Sequence, residues 1–203
     1  MVENNKASAR EKLIDAAITN MWRKNFQATG VEQLCQFADV KKGSFYHHFK
    51  SKSNLAVAAI EHLWANTEQE VFKPIFNSPE LEWREKFSKF VKTVQSIQSS
   101  CFESEGVVLG CPFGNLGQEM AVHDEQIRSA LERIFAEQRR YFEGALLEAV
   151  ELKEVSRQGV ERKAVAVLAF VEGANLMARI CNDSNVLNGV DGDILAIVLQ
   201  AEK

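Results

Sequence analysis

An all-α protein is predicted from three features of the 203-residue chain. Apolar residues recur at the three-and-four spacing of helix faces over most of its length. Only 3 Pro and 11 Gly are present, too few for the many tight turns of a sandwich or barrel. With 46% hydrophobic and 26% charged residues the chain can bury a core. It has no apolar run of the roughly 18 to 20 residues that a spanning helix needs, so no membrane partner is expected. The first twenty residues lack the sectors of a signal peptide, which makes a cytoplasmic location the expectation.

Each element follows from local chemistry. Ser8 and Glu11 stand in capping-box order ahead of Leu13, Ile14, Ala17, Ile18, Met21 and Trp22, which predicts a first amphipathic helix. Residues 31–38 and 42–49 are two short apolar-periodic pieces separated by Asp39-Val40-Lys41. Ser51 begins a longer helix through Leu55, Ala59 and Leu63, until Pro74 and Pro79 break the pattern near Phe76-Asn77-Ser78. Ser78-Pro79 then predicts a helix along Phe87, Phe90, Val91, Val94 and Ile97, ending near Cys101. Residues 103–112 interrupt it, and a long stripe resumes over 124–155. A nearly all-round apolar helix over 157–181 and a short one over 190–200 complete the chain.

Charge is unevenly distributed. Residues 1–55 carry nine Lys and Arg against five Asp and Glu, and residues 56–203 carry fifteen against twenty-three. A basic head on an acidic body suits an anionic partner for the head. Cys35, Cys101, Cys111 and Cys181 form no C-x-x-C pair, and His62 and His123 are scattered. Free thiols are expected, with no disulfide, no metal site and no cofactor.

Residues 29–55 encode a helix-turn-helix. Leu34, Ala38, Val40, Phe45 and Phe49 hold two short helices at a fixed angle, and Asp39 can adopt the left-handed conformation of the corner. Lys42, Ser44, Tyr46 and His47 remain for the outside, with Gly43 allowing close backbone approach. Those groups suit phosphates and base edges in a major groove. Lys52, behind the Ser51 cap, stands where a phosphate would meet free helix N–H groups.

The string from Cys35 to Leu55, C-Q-F-A-D-V-K-K-G-S-F-Y-H-H-F-K-S-K-S-N-L, resembles the signature of the TetR family of bacterial transcriptional repressors. That signature runs close to A-x-x-A-G-V-s-k-G-t-[LF]-Y-x-[YH]-F-x-s-K-x-x-L. Asp39 stands for its turn glycine, Cys35 for an alanine and His48 for a frequent tyrosine. The resemblance implies a three-helix DNA-binding head over 1–55 and a helical effector-binding and dimerisation body over 56–203. It implies a homodimer built on 157–181 and 190–200, a palindromic double-stranded operator, and release by a small-molecule effector. Thr29, Lys42, Gly43, Ser44, Tyr46, His47 and Lys52 are the implied DNA-binding residues.

In the body, Pro112 suits the first position of a helix, with Cys111 at the cap, where N–H groups favour a thiolate. The string G-C-P-F-G-N-L-G-Q-E from Gly110 is similar to a segment of the TetR subgroup that includes the repressors of N-ethylmaleimide reductase and acrylate metabolism. There a cysteine after glycine senses electrophiles or oxidants. Cys111, Phe113 and Asn115 are the expected effector-binding residues, with Trp64, Phe90 and Phe102 as candidate wall residues. Three alternatives stand beside this: Cys111 as an inert pocket residue, a sensor of a non-covalent ligand, and a thiol enzyme pairing Cys111 with His123, which no family string supports.

Overall fold

The computed structural model describes residues 7–200, and among them every regular element is helical. They form two compact units, residues 7–65 with 112–132 and residues 66–111 with 133–200. The first unit therefore runs past the sequence-based cut at residue 55 and takes in a later segment of the chain.

The first unit opens with α1 (Ala9–Arg23). Ser8 Oγ accepts the Glu11 N–H at 3.2 Å while Glu11 Oε2 accepts the Ser8 N–H at 2.7 Å, the reciprocal capping the sequence predicts. α2 (Val31–Phe37) and α3 (Lys42–His48) meet at Asp39, whose φ of 51° is the left-handed corner. Leu13, Ala17, Leu34, Phe45 and Phe49 close the core between them, joined by Leu55, Ala59 and Trp64 of α4 (Lys52–Thr67). α7 (Pro112–Met120) packs on α1, and the first residues of α8 (Glu125–Glu151) complete the unit. Glu119 Oε2 accepts the Gln27 N–H at 3.2 Å, Asp124 accepts from the Ser53 hydroxyl, and Gln126 Oε1 accepts from Asn54 Nδ2 at 3.1 Å. These bonds fasten α7 and its exit to the segments that precede α2 and follow α3.

In the second unit Pro74 does not break the helix at its own position, and the helical path ends at Phe76, near the break that the sequence predicts. A π-helical turn over Glu68–Phe72 leads into α5 (Lys73–Phe76), with Pro74 in the first turn of α5. Its ring leaves no N–H for the carbonyl four residues back, and the wider π turn accommodates the missing bond. Ser78-Pro79 does not start the next helix either. α6 (Trp83–Glu105) starts at Glu82, whose N–H donates to Glu85 Oε2 at 2.9 Å, because that capping box and the buried Trp83 anchor outweigh the weaker Ser-Pro signal. Phe72, Phe76, Phe87, Phe90 and Phe142 form an aromatic core with ring centroids 5.2 to 6.2 Å apart.

After Gly106, left-handed at φ 74°, residues 107–111 run without regular structure. Buried Gln98 grips this segment: its Oε1 accepts the N–H groups of Leu109 and Gly110 at 3.1 and 2.9 Å, and its Nε2 donates to the Gly110 carbonyl at 3.2 Å. Asn182 Oδ1 accepts the Val108 N–H at 2.8 Å. α9 (Val160–Cys181) and α10 (Val190–Leu199) pack on each other, and α10 packs on α6. With a mean hydropathy of 1.6 over eighteen residues, α9 is long and apolar enough to cross a membrane by length and composition, contrary to the sequence expectation. Glu172 and Arg179 interrupt it, and small apolar residues raise its average.

Candidate DNA-binding face and candidate thiol site

The outer side of α3 is built by subtraction. Phe45 and Phe49 turn inward, which leaves Lys42, Gly43, Tyr46, His47 and His48 exposed, Tyr46 at 55%, with Ser44 half-buried. A Cβ added to Gly43 would meet no atom of the chain within 4 Å, and its φ is not in the left-handed range. The fold therefore does not need a glycine there.

Two expected DNA-binding residues are engaged within the head. The Lys52 ammonium donates to the Phe26 carbonyl and to the Gln27 carbonyl, the latter at 3.0 Å, and lies 4.5 Å from the Phe26 ring centre. Burial pushes its pKa down, with the Glu119 charge partly opposing. Thr29 is buried and its hydroxyl donates to the Asn25 carbonyl at 2.9 Å. Both residues shape the loop between α1 and α2. That role is invisible in the sequence pattern because the acceptors are main-chain carbonyls.

The expected effector residues divide between the units. Phe113 and Asn115 are buried in the first unit, where Phe113 meets Trp64 edge-on at 6.3 Å. Cys111 closes a segment of the second unit. Phe90 belongs to the aromatic core and Phe102 is exposed. Half-buried Cys111 donates its thiol hydrogen to the carboxylate of Glu172 on α9. Burial pushes Glu172 up to about 7, and the thiol hydrogen bond acts against that rise. The sulfur thus rests against a carboxylate as well as standing ahead of the helix. Gly110, at φ 71°, brings it there: a Cβ at 110 would stand 3.4 Å from the Asn175 carbonyl and from Arg179 Cβ. Glu172 escaped the sequence reading because nothing in an apolar helix announces a partner so distant in the chain.

The second unit also holds a cavity of about 690 Å³, lined among others by Glu68, Phe76, Lys86, Arg140, Tyr141 and Glu148. Tyr141 donates to Glu68 Oε1 at 2.7 Å and Lys73 pairs with Glu68 at 3.0 Å. The hydrogen bond from Tyr141 holds Glu68 low, whereas burial, followed by that same bond, raises Tyr141. None of Cys111, Phe113 and Asn115 lines this cavity. Among the described residues, no group of three or more His, Cys, Asp or Glu could hold a metal.

Comparison with known proteins bears on both regions. Residues 13–59 match the model for bacterial regulatory proteins of the tetR family, and residues 85–192 match the C-terminal domain of LmrA/YxaF-like transcriptional regulators. The transcriptional regulator AcuR of Cereibacter sphaeroides is 29% identical over 61% of this chain and 54% of its own. The transcriptional repressor NemR of Escherichia coli K12 is 28% identical over 66% of this chain and 64% of its own. The crystal structure of reduced E. coli NemR superposes with a TM-score of 0.79 at 26% identity, covering 96% of this chain and 99% of that one. With a helix-turn-helix at its head and family models over both of its parts, the chain is a DNA-binding transcriptional regulator, not an enzyme, and belongs to the tetR family.

Proposed function

We propose that the protein is a cytoplasmic, homodimeric repressor that leaves a palindromic operator when Cys111 is modified by an electrophile or oxidant. The observation that carries this reading is the position of Cys111. It directly precedes α7, and α7 is hydrogen-bonded through Glu119 to Gln27 and, beyond its exit, through Asp124 to Ser53. Those two partners lie just before and just after the helix-turn-helix formed by α2 and α3. A change in volume at the sulfur therefore acts on the start of an element that belongs to the head, and biases the head between two arrangements.

On DNA, Lys42, Gly43, Ser44, Tyr46 and His47 meet phosphates and base edges, while Thr29 and Lys52 hold the loop between α1 and α2. Dimerisation through α9 and α10 fits the apolar side chains they expose, namely Val165, Leu176, Met177, Ile180 at 67%, and Leu199. Phe113 and Asn115 act as buried supports of α7 beside the sensor. A second reading has support of its own: the cavity of about 690 Å³ has the size of a small-molecule site and would serve a non-covalent effector.

The test is binding of the purified protein to the DNA flanking its own gene, with and without a mild electrophile, in wild type and Cys111→Ser. Release confined to the wild type is expected. Release of both proteins by the reagent refutes the thiol mechanism, and indifference of both turns the search to ligands of the cavity.

A further inference from the structure

The head contains a buried amide with nothing to bind. Lys12, Ala16, Asn20 and Lys24 recur every four residues along α1 and its C-terminal cap, and so form one stripe. Together with Phe37, at the end of α2, and Asp39, at the corner, that stripe lines a cavity of about 480 Å³. All of these residues belong to the first unit. Asn20 is 1% exposed, and neither its Oδ1 nor its Nδ2 has a hydrogen-bond partner among the described residues. Two unpaired buried polar atoms are costly to keep, and a leucine of similar size would occupy the position without that cost. An unpaired amide that lines a cavity points to a partner supplied from outside the chain.

We propose that this cavity is a small-molecule site within the DNA-binding head, with Asn20 as its recognition group. The ligands it fits are neutral, planar molecules that carry an N–H donor and an acceptor side by side on one edge: primary carboxamides, lactams and nucleobases. An asparagine side chain offers a carbonyl oxygen and an N–H on the same edge, and it pairs with such a molecule through two parallel hydrogen bonds, as it does with the edge of adenine. Asn20 Oδ1 accepts from the ligand and Asn20 Nδ2 donates to it, which satisfies both orphan atoms at once.

The rest of the lining agrees with that chemistry. Lys12 and Lys24 are balanced by Asp15 and Asp39, so the cavity asks for no net charge on its occupant. Phe37 is 52% exposed and supplies an aromatic wall, and the Lys24 ammonium lies 3.8 Å from its ring centre, linking the end of α1 to the end of α2. The volume lies within the range of small-ligand sites and far exceeds the roughly 30 Å³ of a water molecule. It is also a site of single-molecule size, where a protein partner would need roughly 800 Å² of surface on each side. Asp39 carries the left-handed backbone at the turn between α2 and α3, so an occupant stands against the corner of the helix-turn-helix. The site shares no residue with the thiol region and does not depend on the reading of Cys111.

The experiment titrates the full ¹⁵N-labelled chain with nicotinamide and with adenine, and follows the side-chain amide signal of Asn20, identified by its loss in Asn20→Leu. That signal should shift and saturate with both probes. N,N-dimethylnicotinamide, which keeps the carbonyl but has no N–H, should bind about tenfold more weakly. Asn20→Leu should abolish binding while raising the melting temperature by about 2–6 °C, because the unpaired amide is gone. Phe37→Ser, at an exposed position, should keep the melting temperature and weaken binding by about fivefold. An Asn20 signal that none of the probes moves overturns the site, as does binding that survives in Asn20→Leu. A lower melting temperature for Asn20→Leu shows that the amide is already paired inside the head and also overturns it. Equal affinity for N,N-dimethylnicotinamide refutes the paired edge. Displacement of nicotinamide by a lower concentration of N-acetylalanine N′-methylamide replaces the small-molecule class with a peptide partner.

Discussion

Replacing Glu172 with Gln should make the protein more stable at alkaline pH. Glu172 moves from the ordinary 4.5 to about 7 on folding, so the native state holds its proton more tightly than the unfolded chain does. Between those values the native state binds more protons, and stability falls as pH rises. The stabilising effect of the protonated form is complete below about 4.5 and gone above about 7. At 1.36 kcal/mol per pH unit the full difference is roughly 3 kcal/mol, reduced to about 2–3 kcal/mol because the side chain keeps an exposed edge. Gln has the same shape, still accepts from the Cys111 thiol, and carries no charge to desolvate. Thermal unfolding of wild type and Glu172→Gln across that range should give a melting-temperature difference near zero at acid pH. Above about pH 8 it should grow to about 4–12 °C in favour of Gln, at 2–4 °C per kcal/mol for a chain of this size. Other acidic groups titrate in both proteins and cancel. A difference that does not vary with pH, or a Gln variant less stable at pH 8, would refute the assignment of a burdened carboxylate.

Lys52→Met should lower stability by about 2 kcal/mol through loss of two charged hydrogen bonds, yet leave the salt dependence of operator binding unchanged. A fall in the slope of log K against log salt by about 0.9 per lysine would make it a phosphate ligand after all. Gly43→Ala should melt within about 0.5 kcal/mol of wild type, since a methyl group meets nothing there, while DNA affinity drops by about tenfold. An unaltered affinity would show that nothing approaches this backbone. Phe142→Ala should cost about 3–5 kcal/mol, because its fully buried ring touches four other phenylalanines. A loss under 1 kcal/mol in urea unfolding would mean that the aromatic core collapses around the gap.

Legibility in the sequence followed the range of the interactions. Ser8 with Glu11, Asp39 at the corner and Phe45 with Phe49 act over one to four residues, so order and spacing reveal them. Ser78-Pro79 misleads because two capping signals lie close together and the buried Trp83 decides between them. The π turn before Pro74 is a response to a missing hydrogen bond and has no residue signature of its own. The sequence suggests a phosphate contact for Lys52 and not its bonds within the head, because main-chain acceptors at 26 and 27 leave no trace in composition. At the thiol, Cys111 and its cap position are legible from Gly110-Cys111-Pro112. Glu172 and Asn175 are not, since they reach the site only when α9 packs on the segment held by Gln98.

A chain usually absorbs a local push by turning about φ and ψ. Where Cys111 hands over to Pro112 that freedom is largely gone. The pyrrolidine ring fixes one angle near −65°, and the residue ahead of it is barred from the helical region. Just upstream, Gln98 pins two successive N–H groups and a carbonyl. Strain introduced at the sulfur therefore has few backbone torsions at this junction in which to dissipate. Glycine in place of Pro112 would supply the slack, and with it a thiol that reacts without consequence.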